Sequence, residues 1–140
     1  MRTRILATAL ATVTLTAGCG LTGSEPTERP QQSGRITVAD KSRATQSVTC
    51  TQNEWLLSIE ATAAPGRALA ALRIGGARPL VDTVSIENID GLQGIAGGDN
   101  GKAEAALVDG VYTITGTAVV SNAGQPGQTT TAPFRIEAPC

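Results

Sequence analysis

Beyond Arg35 the chain alternates between apolar and polar positions with a period of two. Ile36 and Val38 flank Thr37, a first short strand. Gln46 to Thr51 repeats the pattern, with Val48 and Cys50 on one face. From Glu54 to Thr62, Trp55, Leu57, Ile59 and Ala61 share one parity and Glu54, Ser58 and Glu60 the other. This is the signature of a half-buried strand. Arg67 to Ile74 is ambiguous: its alanines and leucines suit a short helix. Its brevity between glycine-containing turns suits a strand better, with Ala70, Leu72 and Ile74 inward. In Leu80 to Ile89 the alternation puts Leu80, Val84 and Ile86 against Thr83, Ser85 and Glu87. Leu92–Ala96 and Lys102–Val108 are shorter strands. Val111–Ser121 is the clearest, with Tyr112, Ile114, Ala118 and Val120 facing one way and Thr113, Thr115 and Thr117 the other. Thr129–Ala138 closes the series, with Phe134 and Ile136 inward.

Turn chemistry separates these segments. Pro65-Gly66, Gly75-Gly76 and Pro79 break the chain. Asp90-Gly91, Asn100-Gly101 and Asp109-Gly110 are the pairs that reach the positive φ of two-residue hairpins. About eight short strands, turn residues between them and no persuasive helix predict an all-β domain over residues 35–140. The expected architecture is an antiparallel β-sandwich or partly open β-barrel. Its core is of Val, Ile, Leu and Ala. Each strand then buries little area, so a covalent staple matters more than in a larger core.

The first 34 residues follow none of these periods. Arg2 and Arg4 precede Ile5–Leu15, an uncharged run rich in Ala, Thr and Leu, and Thr16-Ala17-Gly18 precede Cys19. This order is that of a secretory leader, and the run falls short of the roughly 20 residues of a membrane-spanning helix. Leu15-Thr16-Ala17-Gly18-Cys19 reads as a lipobox, with Thr16 where an aliphatic residue is commonest. A lipoprotein signal peptide over 1–18 and a lipidated Cys19 are expected. The alternative is a plain secreted protein with a coincidental cysteine. From Cys19 to residue 34 the composition is that of a disordered tether, with Leu21 the one large apolar residue. The chain is thus expected to be exported and held by lipid on the outer side of the cell membrane.

Charge narrows the partners. Removing residues 1–18 takes Arg2 and Arg4 from the 11 basic residues and leaves the 12 acidic ones in slight excess. A weakly acidic chain has no electrostatic footprint for nucleic acid. Trp55, Tyr112 and Phe134 are its only aromatics, too few for base or sugar stacking. With Cys19 lipidated, Cys50 and Cys140 remain, and an even pair in an exported chain is most simply a disulfide. Both share parity with apolar neighbours, so both sulfurs face the core side. The chain-entropy value of such a closure is roughly 4 to 5 kcal/mol.

Catalytic options are few. The chain has no histidine, which removes His-dependent triads and His metal sites. Cys50 and Cys140 are not a Cys-x-x-Cys pair. Asp82, Glu87, Asp90 and Asp99 are close in sequence, a thin basis for a carboxylate hydrolase, and turn or surface acids are the stronger reading. Gly97-Gly98-Asp99-Asn100-Gly101 lacks the ligand series and closing glutamate of a calcium loop. No metal, no cofactor and no enzymatic activity are expected. The inward parity of Trp55, Tyr112 and Phe134 suggests a small apolar pocket between the sheets, against the simpler reading that they fill the core.

The residues also resemble a family. The lipobox, the tether, Ser47-Val48-Thr49-Cys50, Asp109 to Ala118 with its Tyr-x-Ile-Thr-Gly-Thr-Ala segment, and the closing Phe134 to Cys140 are similar to the LpqH-type (19 kDa antigen) lipoproteins of mycobacteria. The likeness covers nearly the whole mature chain, by pattern only from Gln52 to Pro79. It implies an acylated, envelope-anchored, non-enzymatic surface antigen whose acyl chains are sensed by host Toll-like receptors. A carrier of a lipid or small apolar ligand is the alternative. Matched residue by residue, Cys19 is the lipidated cysteine and Cys50 with Cys140 the bridge. The tether holds only Thr22, Ser24, Thr27 and Ser33, where such proteins are richer in Thr and Ser.

Overall fold

The computed structural model describes residues 34–140. They form ten strands: β1 (Arg35–Val38), β2 (Lys41–Ala44), β3 (Ser47–Asn53), β4 (Leu56–Thr62), β5 (Arg67–Arg73), β6 (Leu80–Ile89), β7 (Leu92–Ala96), β8 (Lys102–Val108), β9 (Val111–Asn122) and β10 (Thr129–Pro139). All pairings are antiparallel, in the order β2-β1-β10-β9-β7-β6-β5-β4-β3, with β8 also on β9. The sheet curls on itself as a half-barrel, so the all-β, partly open expectation holds. The ambiguous Arg67–Arg73 segment is a strand.

The nine segments read from the sequence become ten strands, and β2 is the strand that periodicity misses. Lys41-Ser42-Arg43-Ala44 has no apolar alternation because neither of its faces is buried. It exists through backbone pairing with β1, from Arg35 opposite Ala44 to Val38 opposite Lys41.

The curl gives one inner face. Ile36, Leu57, Ile59, Leu72, Val84, Ile86, Ile114, Phe134 and Ile136 meet there, each at most 4% exposed. Each such apolar side chain contributes roughly 1.5–3 kcal/mol relative to exposure. Small residues on the same face, among them Ala61, Ala68, Ala118 and Ala138, let the strands approach closely. Two hairpins turn as the sequence predicts: Asp90 and Gly91, and Asp109 and Gly110, all have positive φ.

Two expectations about side-chain direction fail. Leu80 is 53% exposed, not inward. The β5–β6 ladder runs Ala71 opposite Thr83 and then Leu72 opposite Val81, so Asp82 is an extra residue. That bulge reverses parity towards the start of β6, turning Val81 in and Leu80 out. Trp55 is 69% exposed although Leu57, Ile59 and Ala61 are buried. Glu54 (φ 53°) and Trp55 form the two-residue turn between β3 and β4, ahead of the strand whose parity Trp55 was expected to share. With no Gly or Asn in it, that turn carries no sequence signal.

β9 organises the centre. β10 pairs along almost its whole length on one side. On the other side β7 pairs with its last residues, Ile95 opposite Val119, and β8 with its first, Lys102 opposite Thr117. β7 and β8 therefore lie nearly in line, interrupted by a Gly97–Asn100 turn closed by reciprocal backbone hydrogen bonds. Where β8 begins, a Cβ on Gly116 would run into the Lys102 carbonyl, so only glycine allows that approach.

Candidate functional site

The residues expected to carry function fall in two places. The proposed leader, 1–18, and Cys19 with all of its tether except Gly34 lie outside the described residues. Cys50 and Cys140 lie within them and are joined as a disulfide, with Cα atoms 5.9 Å apart and a separation of 90 positions in sequence. β3 is the last strand of the sheet path, and Cys140 follows β10, which belongs to the opposite half. The bond thus fastens the edge of the curl to its other layer. Cys140 is held further by its N–H, which donates to the Gly110 carbonyl at 2.9 Å.

The three aromatics are not one group of inward rings. Tyr112 and Phe134 are core residues, 9% and 3% exposed. Trp55 stands on the surface, its ring over the backbone of Gly75, where a Cβ would collide with it. The Trp55 carbonyl accepts a hydrogen bond from the Ile74 N–H. An open depression of about 190 Å³ lies elsewhere, against Thr49, Thr51, Ser58, Glu60 and Leu69. Those five side chains belong to the outer face, and the volume is below the roughly 300 Å³ at which small-molecule sites begin.

The acids are distributed rather than gathered. Asp82 accepts from Arg73 Nε at 2.7 Å, Glu87 from Arg67 Nε at 2.6 Å, and Asp90 from Arg43 Nε at 3.0 Å. The hydrogen bond to Asp90, and then its charge, push the Arg43 guanidinium above its ordinary pKa; Glu87 does the same for Arg67. Each of these carboxylates faces an arginine and not a second carboxylate, so they do not form the paired acids of a carboxylate hydrolase. The Arg43–Asp90 pair also ties β2 to the β6–β7 turn, 47 residues away in sequence. Among the described residues no three His, Cys, Asp or Glu side chains gather as metal ligands.

Comparison with known proteins gives a consistent picture. The family described as Mycobacterium 19 kDa lipoprotein antigen matches residues 27–140. A protein of Mycobacterium avium subsp. hominissuis (strain TH135) named "Putative lipoprotein" is 33% identical over 142 residues, covering 99% of this chain and 94% of that protein. "Probable lipoprotein LppE" of Mycobacterium tuberculosis (strain ATCC 25618 / H37Rv) is 26% identical over 141 residues, covering 100% of each.

Proposed function

The chain belongs to the Mycobacterium 19 kDa lipoprotein antigen family, and from that premise we propose that it is an envelope lipoprotein anchored through acylated Cys19. The leader, residues 1–18, is cut away between Gly18 and Cys19. The sulfur of Cys19 carries a diacylglyceryl group and its freed amino group an amide-linked acyl chain. More than one chain is needed, because a single one binds a bilayer only marginally. The half-barrel is then a non-enzymatic module held on the outer side of the cell membrane. Its acyl chains are the part available to host Toll-like receptors.

One observation carries this reading. The chain has three cysteines, and two of them are spent on each other in the folded domain. Cys19 is left as the sulfur for a thioether, and it stands directly after the small residues Ala17-Gly18 that a lipoprotein leader requires. Detergent phase partitioning of the expressed protein tests it. Wild type enters the detergent phase, whereas Cys19→Ala is retained with its leader or released to the aqueous phase. A leaderless Cys19→Ala protein that still enters the detergent phase would refute the anchor. Toll-like receptor reporter cells should respond to the wild type and not to Cys19→Ala.

A further inference from the structure

Six large apolar side chains are conspicuously exposed among the described residues: Trp55, Leu56, Leu80, Ile95, Leu107 and Val108. Five of them fall at one end of the sheet. Leu56 pairs with Arg73 and Arg73 with Leu80, so Leu56 and Leu80 flank Arg73 on one outer row. Trp55 precedes Leu56 and covers Gly75, at the start of the loop that leads to Leu80.

Leu107 and Val108 belong to the same end. β7 is hydrogen-bonded to β6, with Ala96 opposite Val84. β8 continues the line of β7 along β9 but has no ladder to β6. Continuing the register, with Asp82 as the extra residue, puts Leu80 level with Glu104 and the Gly75–Pro79 loop level with Leu107 and Val108. The hydrogen-bonded ladder therefore splits below Ala96, although β6 and the start of β8 remain side by side. Leu107, opposite the core residue Tyr112 and on the inner parity of Ala103 and Ala105, is 49% exposed because no strand covers it there.

We propose that Trp55, Leu56, Leu80, Leu107 and Val108 form a collar that docks on the surface of a phospholipid bilayer. The proposal takes the location of that bilayer from the reading of Cys19 as the anchor. The chain enters the domain at Gly34, beside Arg35, which pairs with Glu137. The β8–β9 hairpin tip adjoins the same end of β10, where Pro139 pairs with Val111. Three strand spacings, about 15 Å, separate the two. β3 runs between them: Val48 lies where a Cβ on Gly34 would meet it at 3.0 Å, Cys50 is bonded to Cys140 beside Gly110, and the strand ends at the Trp55 turn. About 15 residues link Cys19 to Gly34, a reach of at most about 50 Å, ample for the collar to meet the bilayer that holds the acyl chains.

A tryptophan among leucines at an apolar–aqueous boundary suits this role, since its ring is apolar while its N–H stays hydrated. Arg73 and Arg78 at this end are outnumbered by Glu54, Asp82 and Asp109, so no positive patch forms there. Apolar contact rather than charge holds the collar, and the dock survives added salt.

Trp55 is the chain's one tryptophan and reports directly. The mature chain, from Cys19, is coupled through the Cys19 thiol to a maleimide-headgroup lipid in phosphatidylcholine–phosphatidylglycerol vesicles, with or without bromine on the acyl chains. Docking brings Trp55 to the headgroup–acyl boundary, where bromine on the chains quenches its emission relative to the unbrominated vesicles. Leu80→Asp with Leu107→Asp abolishes that quenching, and Ile95→Asp, on a different part of the outer face, leaves it intact. Equal emission in both kinds of vesicle would overturn the proposal. So would Trp55 shielding that depends on protein concentration without lipid, which would assign the collar to a second copy. Coupling bypasses acylation, so failure of the anchor in cells and failure of the dock on vesicles are separate results.

Discussion

β7 and β8 follow one another along the same side of β9, and their fates differ. β7 is flanked by β6 and β9, and its inner residue Ala96 is 2% exposed. β8 is paired on one side only; Ala103 and Ala105 are half-buried and Leu107 is exposed. Both segments alternate, and both present their odd or even set to the same core. The difference lies in what stands across from them. A strand's period says which side chains could be buried; the neighbour decides how many are.

The comparison can be broken most forcefully at the covalent clasp beside the split. Replacing Cys50 and Cys140 by serine should cost up to about 4–5 kcal/mol from the lost loop constraint. The urea midpoint of the variant, and of wild type under reductant, should fall together. A midpoint unmoved by reductant would mean that side-chain packing, without the disulfide, holds β3 to the far layer.

Paired substitutions on one cross-strand row sharpen it next. Ile114 is fully buried, opposite Ala105 on β8 and Ile136 on β10. Ile114→Ala should lose about 3 kcal/mol. At Gly116, alanine should cost about 2 kcal/mol, by forcing Lys102 and the start of β8 away from β9. Leu107→Ala, on the inner parity but uncovered, should cost less than about 1 kcal/mol. Denaturant titrations that ranked Leu107 with Ile114 would show that the seam is closed in solution.

Much of this fold can be read from alternation, because one face of nearly every strand is buried and the other is wet. The Asp90-Gly91 and Asp109-Gly110 hairpins are legible for a separate reason, the positive φ that such pairs tolerate. What escapes the sequence has local causes. β2 buries neither face, so it leaves no period. The extra Asp82 reverses Leu80 without any glycine or proline to mark it. The Glu54-Trp55 turn uses ordinary residues, which made Trp55 look like the first inward residue of β4. The split after Ala96 is hidden because Lys102–Val108 alternates just as a covered strand would. The Cys19 reading, by contrast, rests on residue order in the leader and owes nothing to the geometry of the domain beyond the pairing of the other two cysteines.

Intact-mass measurement of the protein extracted from a mycobacterial envelope tests that reading most directly. The account predicts a chain that starts at Cys19, with Cys50 and Cys140 oxidised and the added mass of a diacylglyceryl group and an amide-linked acyl chain confined to the N-terminal peptide. A chain with an unmodified Cys19, or one cut elsewhere so that Cys19 is absent, would contradict it.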